Sequence, residues 1–399
     1  MCSLLIDRQA NSPKNTQKSL AINDLRIDFY NSVNEIPESD FAHSNIFLQI
    51  DYLTALAENP PLGYKFCYLV FYKNNQHIGF SACQIKHFQA AESLNFNPQQ
   101  NPILLAFKKG LASQVNFNTL IVGSLLLTGE NSYSFDRQLV TIEEKNQLIT
   151  EGVKLAKKIL AGEGISIQSV FIKDFFDAQK PLVTEGYNEF QVEPNFILEI
   201  PESWKTFDDY LDALSSKYRV RAKRAFKKLE GAEKKDFNVE RIRANQLEIN
   251  NLYQQIRQKS AFNLLDLHDN YFLELKEKLG ERFHLFGYFL DGKLIGFYTT
   301  IENDDELEAH FLGYEESLNH EHQIYLNFLF DIIKNGIEYQ SPKIVFARTA
   351  HEIKSSVGAS ARDMYLYMKH DNQIYNALLP YLLRILSPRE NWLPRKPFK

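Results

Sequence analysis

Apolar-rich runs with a two-residue period occur at YKFCYLVFY (64–72) and HIGFSACQI (77–85), separated by the turn-like Lys-Asn-Asn-Gln. Such a pair predicts a β-hairpin. A similar pair, RFHLFGYFL (282–290) and KLIGFYTTI (293–301), flanks Asp291-Gly292, a dipeptide favoured in two-residue hairpin turns. The return strand opens with Ile-Gly-Phe both times, at 78–80 and 295–297. Later in each half a helical apolar period precedes a strand-like run: EEKNQLITEGVKLAKKIL before SIQSVFIKDF, and IYLNFLFDIIKNGIEY before PKIVFA. The order hairpin, strand, helix, strand therefore predicts an internal duplication.

The segment HFQAAESLNFNPQQNP (87–102) reads as a long insertion that could cover a shared cleft, and AGEG (161–164) as a helix stop. FILEIPESWKT (196–206) marks the passage between halves, with Thr206 placed to cap a helix whose first turn carries Asp208 and Asp209. The expected division is a disordered tail over 1–20, one domain over 21–198, a second over 199–388 and a tail over 389–399 lying along the surface.

With 399 residues, 44% hydrophobic and 24% charged, the composition is that of a globular protein, and 30 Phe with 20 Tyr favour strand-rich cores. Cys2, Cys67 and Cys83 have neither zinc-ribbon nor disulfide-framework spacing, which fits a reducing compartment. With no apolar run long enough for a leader or membrane span, the expected location is the cytoplasm, without integral membrane association. Net charge is −5, yet 215–231 (SSKYRVRAKRAFKKLEG) is strongly basic. Read as a helix, it places Lys217, Arg221, Arg224 and Lys228 on one stripe beside an apolar stripe of Leu214, Tyr218, Ala222, Ala225 and Leu229. Such a cationic rim points to a polyanion: tRNA, a nucleotide diphosphate, coenzyme A or, through peripheral contact, anionic lipid.

Four segments, YLDALSSKYRVRAKRAFKKLEG, FLDGKLIGF, HFLGYEESLN and ARTAHEIKSSVGA, resemble in this order the second half of tandem GNAT-fold proteins related to the Fem-type aminoacyl ligases of peptidoglycan synthesis. The likeness covers about 200–370 and is architectural over 21–198. It implies an α+β fold of two GNAT-like domains, each a mixed, mostly antiparallel sheet flanked by helices. It also implies acyl or aminoacyl transfer to an amine acceptor, from acyl-CoA or aminoacyl-tRNA, in a groove between the domains. Lys354 and Gly358 match a Lys-x-x-x-Gly segment whose lysine the family assigns to the developing oxyanion, although Ile353 stands where an aromatic residue is usual. The basic residues around Tyr218 resemble the family's phosphate-holding group.

Aminolysis of an ester or thioester needs a fixed cation for the oxyanion and a base for the amine proton. Lys354 suits the first role, and Arg348, directly after KIVFA, could clamp a carboxylate or phosphate or join a structural ion pair. Along ELEAHFLGY, alternation places Glu308 and His310 on one face with Leu312, and Leu307, Ala309 and Phe311 on the other, so Glu308 and His310 are the base candidates. His320-Glu321-His322 lacks further placed ligands, and no metal is expected. The usual CoA pyrophosphate loop is missing: GYEESLNHEHQIYLNFL has no glycine after Gly313. The competing expectation is a non-catalytic module of the same fold that binds RNA, a nucleotide or an anionic membrane surface.

Overall fold

The computed structural model describes residues 18–41, 44–89, 105–106, 109–110, 116–259, 265–386 and 392–399. The first half runs β1 (Ser19–Ile22), β2 (Leu25–Tyr30), α1 (Ile50–Glu58), β3 (Tyr64–Lys73), β4 (Gln76–Gln89), β5 (Asn116–Val122), β6 (Ser134–Phe135), α2 (Ile142–Gly162), β7 (Ser169–Phe175), α3 (Lys180–Thr184) and β8 (Asn188–Glu199). The second half begins with α4 (Phe207–Ala213), α5 (Ser216–Lys228), β9 (Glu233–Asp236), α6 (Val239–Ala244), α7 (Gln246–Arg257) and α8 (Tyr271–Leu279). It continues with β10 (Phe283–Leu290), β11 (Lys293–Asn303), β12 (Glu306–Tyr314), α9 (Glu316–His322), α10 (Ile324–Glu338), β13 (Lys343–Val345), α11 (His351–Ser356), β14 (Ser360–His370) and α12 (Gln373–Leu386).

The repeat seen in sequence has a physical counterpart. In the first hairpin Phe71 faces Gly79 while Tyr72 faces His77, so Ile78 is an extra residue in β4. In the second, Tyr288 faces Gly296 while Phe289 faces Leu294, which makes Ile295 the extra residue in β11. Each Ile-Gly-Phe is therefore a β-bulge followed by a glycine against which an aromatic ring packs. A β-carbon at Gly79 would lie 2.3 Å from the Phe135 ring, and one at Gly296 2.8 Å from the Phe328 ring. Gly296→Ala is expected to cost about 1–3 kcal/mol in urea unfolding, since the buried Phe328 must move to admit it. The turns correspond too: Asn74 and Asn75 have φ 51° and 61°, and Asp291 and Gly292 have φ 50° and 78°, as type I′ turns require.

All the strands join one sheet in the order β1-β2-β3-β4-β5-β7-β14-β8-β13-β12-β11-β10-β9, with β6 beside β4. Neighbours are antiparallel except β5 with β7 and β12 with β13. The fold is thus α+β, two GNAT-like sheets in tandem merged into one mixed, mostly antiparallel sheet. The halves meet by exchange: β14 lies between β7 and β8, and β8 pairs with β13. One apolar cluster, with α1 and α6–α8, is built from both halves and includes Tyr68, Phe80, Phe283 and Phe297. A second lies under α2, and a third under α4, α5 and α10.

One expectation needs correction: β1 begins at Ser19, inside the segment read as a loose tail. Residues 392–399 run along the surface, with 393–396 exposed, and are anchored there: Phe398 is inserted against Gly358 and packs on Trp204 and Tyr210, because its ring and that of Trp392 find apolar partners that a polar surface lacks. Most of the expected insertion, residues 90–102, lies outside the described residues.

Candidate functional site

β7 and β13 run in opposite directions and approach the sheet's centre from either side of β14 and β8. Two residues beyond the last parallel pair, Val122 with Ile172 and Glu308 with Val345, each strand turns through a left-handed residue, Asp174 (φ 57°) and Ala347 (φ 57°). Asp174 Oδ1 accepts a hydrogen bond from Arg348 Nη2, a contact that reaches across β14 and β8 and ties the two strand ends together. Lys173 Nζ lies 3.2 Å from Asp174 Oδ2 and donates to Leu127 O at 3.1 Å.

The loop after β13 carries three non-glycine residues with positive φ, Ala347 (57°), Thr349 (67°) and Ala350 (51°), a backbone conformation that needs external support. Lys354 supplies it. From the last turn of α11 its Nζ donates to the carbonyls of Arg348 and, at 3.2 Å, Ala347. Lys354 is thus buried beneath the loop that presents Arg348, with 4% of its surface exposed. Burial pulls its ammonium down to about 7, opposed by Glu193.

Lys173 is 5% and Asp174 1% exposed, and burial likewise lowers the Lys173 ammonium. The single carboxylate Asp174 is thus shared by Lys173 and Arg348, while Lys354, on which Glu193 acts, holds the backbone of the loop that carries Arg348. Arg348 Nε, Asn195 Oδ1 and His351 Nε2 are buried without a hydrogen-bond partner among the described residues, a costly arrangement unless a ligand or water serves them. Lys173, Asp174 and Asn195 escaped the sequence reading. For Lys173 and Asp174 the signal was the alignment of Lys-Asp-Phe at the end of β7 with Phe-Ala-Arg at the end of β13; Asn195, on β8, had none.

Segment 392–399 clamps α11 from outside. Trp392 packs on His351 and Phe196 with ring centroids 5.4 and 5.3 Å away. Arg395 pairs with Glu352 at 2.6 Å, and its N–H donates to Ser355 Oγ at 3.1 Å. Pro397 O accepts from Ser215 N at 2.8 Å, which joins the segment to the start of α5. Phe398→Ala is expected to open space beside Gly358 and Tyr210 and to destabilise the protein in denaturant unfolding, by less than the about 3–5 kcal/mol of a fully buried ring because Phe398 is only partly buried.

Glu308 and His310 do share a face, as expected, but Leu312 does not join them. Tyr298 faces Leu312 and Thr300 faces Ala309, so His310 and Phe311 together oppose Thr299. This bulge puts Phe311 on the side of His310 and returns Leu312 to the side of Leu307 and Ala309. Both base candidates lie against the cluster shared by the two halves and have no contact with Lys354. His310 Nε2 is 3.0 Å from Tyr271 Oη, and burial lowers its pKa to about 3. Glu308 is pushed up to about 8, mainly by burial and then by Glu306.

On α5, Ala222 and Ala225 are buried while Lys217, Arg221, Arg224 and Lys228 are exposed, the amphipathic arrangement expected. Lys217 stands 5.6 Å from the Tyr218 ring, and Lys228 Nζ is 3.4 Å from His320 O. Arg221, Lys223, Arg224 and Lys227 have no hydrogen bond or ion pair among the described residues. His322 Nδ1 meets Lys228 O at 2.8 Å, so the His-Glu-His stretch docks α9 on α5. Among the described residues no group of three or more metal-ligating side chains converges.

A pyrophosphate finds a poor fit at the two helix starts where the fold could place one. α2 begins with a capping box in which Thr141 Oγ1 accepts from Glu144 N at 3.2 Å and Glu144 Oε2 accepts from Thr141 N at 3.0 Å, and Glu143 adds a second carboxylate. α9 closes the start of α10, where Tyr325 N already donates to Asn319 Oδ1 at 3.0 Å.

No protein-family model matches the sequence, and none of the curated proteins does. Among solved structures, FemX aligns over 86% of this chain and 98% of its own, with TM-score 0.52 and 10% identity. A tandem GNAT protein from the clavulanic acid biosynthesis pathway aligns over 87% and 99% (TM-score 0.48, 8% identity), and L-PGS from Bacillus licheniformis over 84% and 95% (TM-score 0.43, 12% identity). The chain has the tandem GNAT fold and is related in architecture to FemX.

Proposed function

We propose that this protein is an acyltransferase that moves an acyl or aminoacyl group onto an amine, at the junction of two GNAT-like domains spanning 21–198 and 199–388. The observation that carries this reading is the pair of cations, Lys173 and Arg348, that shares one buried carboxylate, Asp174, with the buried Lys354 under the loop that presents Arg348. Surplus positive charge in a desolvated place favours an oxyanion, and aminolysis of an ester or thioester develops one. A lysine poised at about 7 also exchanges between ammonium and amine near neutrality. Purified protein would be assayed by mass spectrometry with acyl-CoA and aminoacyl-tRNA donors against a panel of amines. Lys354→Ala is expected to lower kcat about tenfold or more with unchanged far-UV circular dichroism, and unaltered turnover removes it from the mechanism. Glu308→Gln and His310→Gln are tested beside it: a fall in kcat at constant KM would assign the base there.

The exposed, unpaired cations of α5 favour a second reading, a non-catalytic module for an anionic partner such as RNA, a nucleotide or an anionic membrane. In either reading these side chains hold phosphate. Arg221→Glu with Arg224→Glu is expected to weaken binding of tRNA or anionic vesicles and to flatten its dependence on salt, measured by fluorescence titration. Binding that ignores the double replacement would place the anionic partner elsewhere.

A further inference from the structure

One side of α12 is held to β14 and β8 and the other is open to solvent. Leu379 is buried, and Asn376 fixes the inner side: its carbonyl accepts from Asn188 Nδ2 at 2.9 Å, its Oδ1 accepts from His370 N at 2.9 Å and its Nδ2 donates to Gly186 O at 3.2 Å. Asn372 caps the helix, its Oδ1 accepting from Ile374 N at 2.9 Å. On the outer side Ile374 is 71%, Tyr375 47%, Leu378 45% and Tyr381 68% exposed. Residues 374, 378 and 381 have the i, i+4, i+7 spacing of one helical face, and 375 borders it. Among the described residues before α12, the exposed large apolar side chains, Leu62, Ile142, Val183, Val220 and Leu247, stand singly. Single exposed apolar residues are ordinary, but four within about two turns of an anchored helix mark an interaction surface.

Area and charge identify the occupant. The four residues expose roughly 500 Å² if each whole residue counts about 200 Å², whereas a stable protein interface takes about 800 Å² from each partner. A lipid surface sets no such minimum, because its hold grows with whatever apolar area enters it and with the charge beside that area. At 14 residues α12 is too short to cross a bilayer and can only lie along one. Tyr375 and Tyr381 suit the boundary between acyl chains and headgroups, where a ring is buried and its hydroxyl stays wet. α12 has no acidic residue, and the nearest acid before it, Asp371, is ion-paired with Lys157. From Arg384 to Lys399 the sequence carries five Lys or Arg against one acid, Glu390, in a chain of net charge −5. Lys396 and Lys399 of that run are exposed, and so is Leu393, at 67%. An apolar stripe followed by cations is complementary to negatively charged lipid.

We infer that α12 is a peripheral membrane anchor, lying flat in the headgroup region of a bilayer that contains anionic phospholipid, with Ile374, Tyr375, Leu378 and Tyr381 inserted. The inference uses neither the transferase reading nor the cations of α5.

The test is co-sedimentation of the full chain with vesicles of phosphatidylcholine, alone or mixed with phosphatidylglycerol, together with the fluorescence of a Tyr381→Trp variant read against the native chain. The mixed vesicles should bind the protein saturably and the neutral ones much more weakly. Tyr381→Trp emission should shift to the blue on binding and be quenched by lipids brominated on the acyl chain, which attraction at a distance does not produce. Ile374→Ser with Leu378→Ser should weaken partitioning at least about tenfold and leave the lipid-free thermal transition in place, since both side chains face outward. Tyr375→Ser with Tyr381→Ser serves if the first pair fails to fold. No binding by the folded protein, partitioning indifferent to both pairs, or bound protein whose Tyr381→Trp emission neither shifts nor quenches would overturn the inference. A lipid-free dimer, detected by analytical ultracentrifugation and dissociated by the same replacements, would assign the face to a second copy and overturn it too. Vesicle binding lost in Arg221→Glu with Arg224→Glu but kept in both α12 pairs would move the membrane contact to α5, with the same result.

Discussion

Asp174→Asn is expected to destabilise the protein by about 3–5 kcal/mol, the range for removing one partner of a buried ion pair. The carboxylate is 1% exposed and serves Arg348 and Lys173 together, so an amide of the same shape leaves two cations without a counter-charge. Lys173 can relieve its part by losing a proton, a step that burial already favours. Arg348 has no such escape, because guanidinium stays protonated. The damage should therefore be greatest through Arg348, and Arg348→Met combined with Asp174→Asn should recover part of the loss. Guanidinium chloride unfolding of the two single variants and the double variant gives the coupling directly. A cost below about 1 kcal/mol would mean that the pair behaves like an exposed surface bridge, and the junction would then hold no desolvated charge.

The features legible in the sequence were those encoded locally. Two hairpins, the helices α2 and α10 and the cap at Thr206 follow from periodicity and turn chemistry that act within a few residues. Even the weak Ile-Gly-Phe echo had a local cause, an added residue in each return strand and a glycine beneath a ring. The exchange of β8 and β14 was not legible, because which half a strand joins depends on contacts far apart in sequence. Asp174 was hidden for the same reason: Lys-Asp at a strand end resembles ordinary surface charge until Arg348, in the other half, is placed beside it. The faces of β12 were read correctly as far as His310 and wrongly beyond it, since one bulge reverses every later position.

Lys354 should leave a recognisable pH signature on stability. Its folded pKa is about 7 and its ordinary value 10.5. Below 7 the lysine is protonated in both states, and the folded protein carries the full cost of a buried ammonium. Between 7 and 10.5 the unfolded chain binds a proton that the folded protein has released, so unfolding free energy rises with pH, by at most about 1.4 kcal/mol per unit. Glu308 acts in the opposite sense: with its pKa raised from 4.5 to about 8, the folded state holds the extra proton, and stability falls as pH rises through that interval. The two overlap only between 7 and 8. Lys354→Met fills similar volume without the charge, so subtracting its urea-derived stability curve from that of the native chain cancels Glu308 and the buried tyrosines. The variant should hold its greatest advantage at acid pH, where the native lysine is charged, and lose it progressively towards 10.5. Carbonyls of Ala347 and Arg348, left without their donor, would lower the whole difference by a constant and leave its slope intact. Parallel curves would show that the lysine stays charged and hydrated in the folded protein, and its assignment beside a developing oxyanion would lose its electrostatic basis.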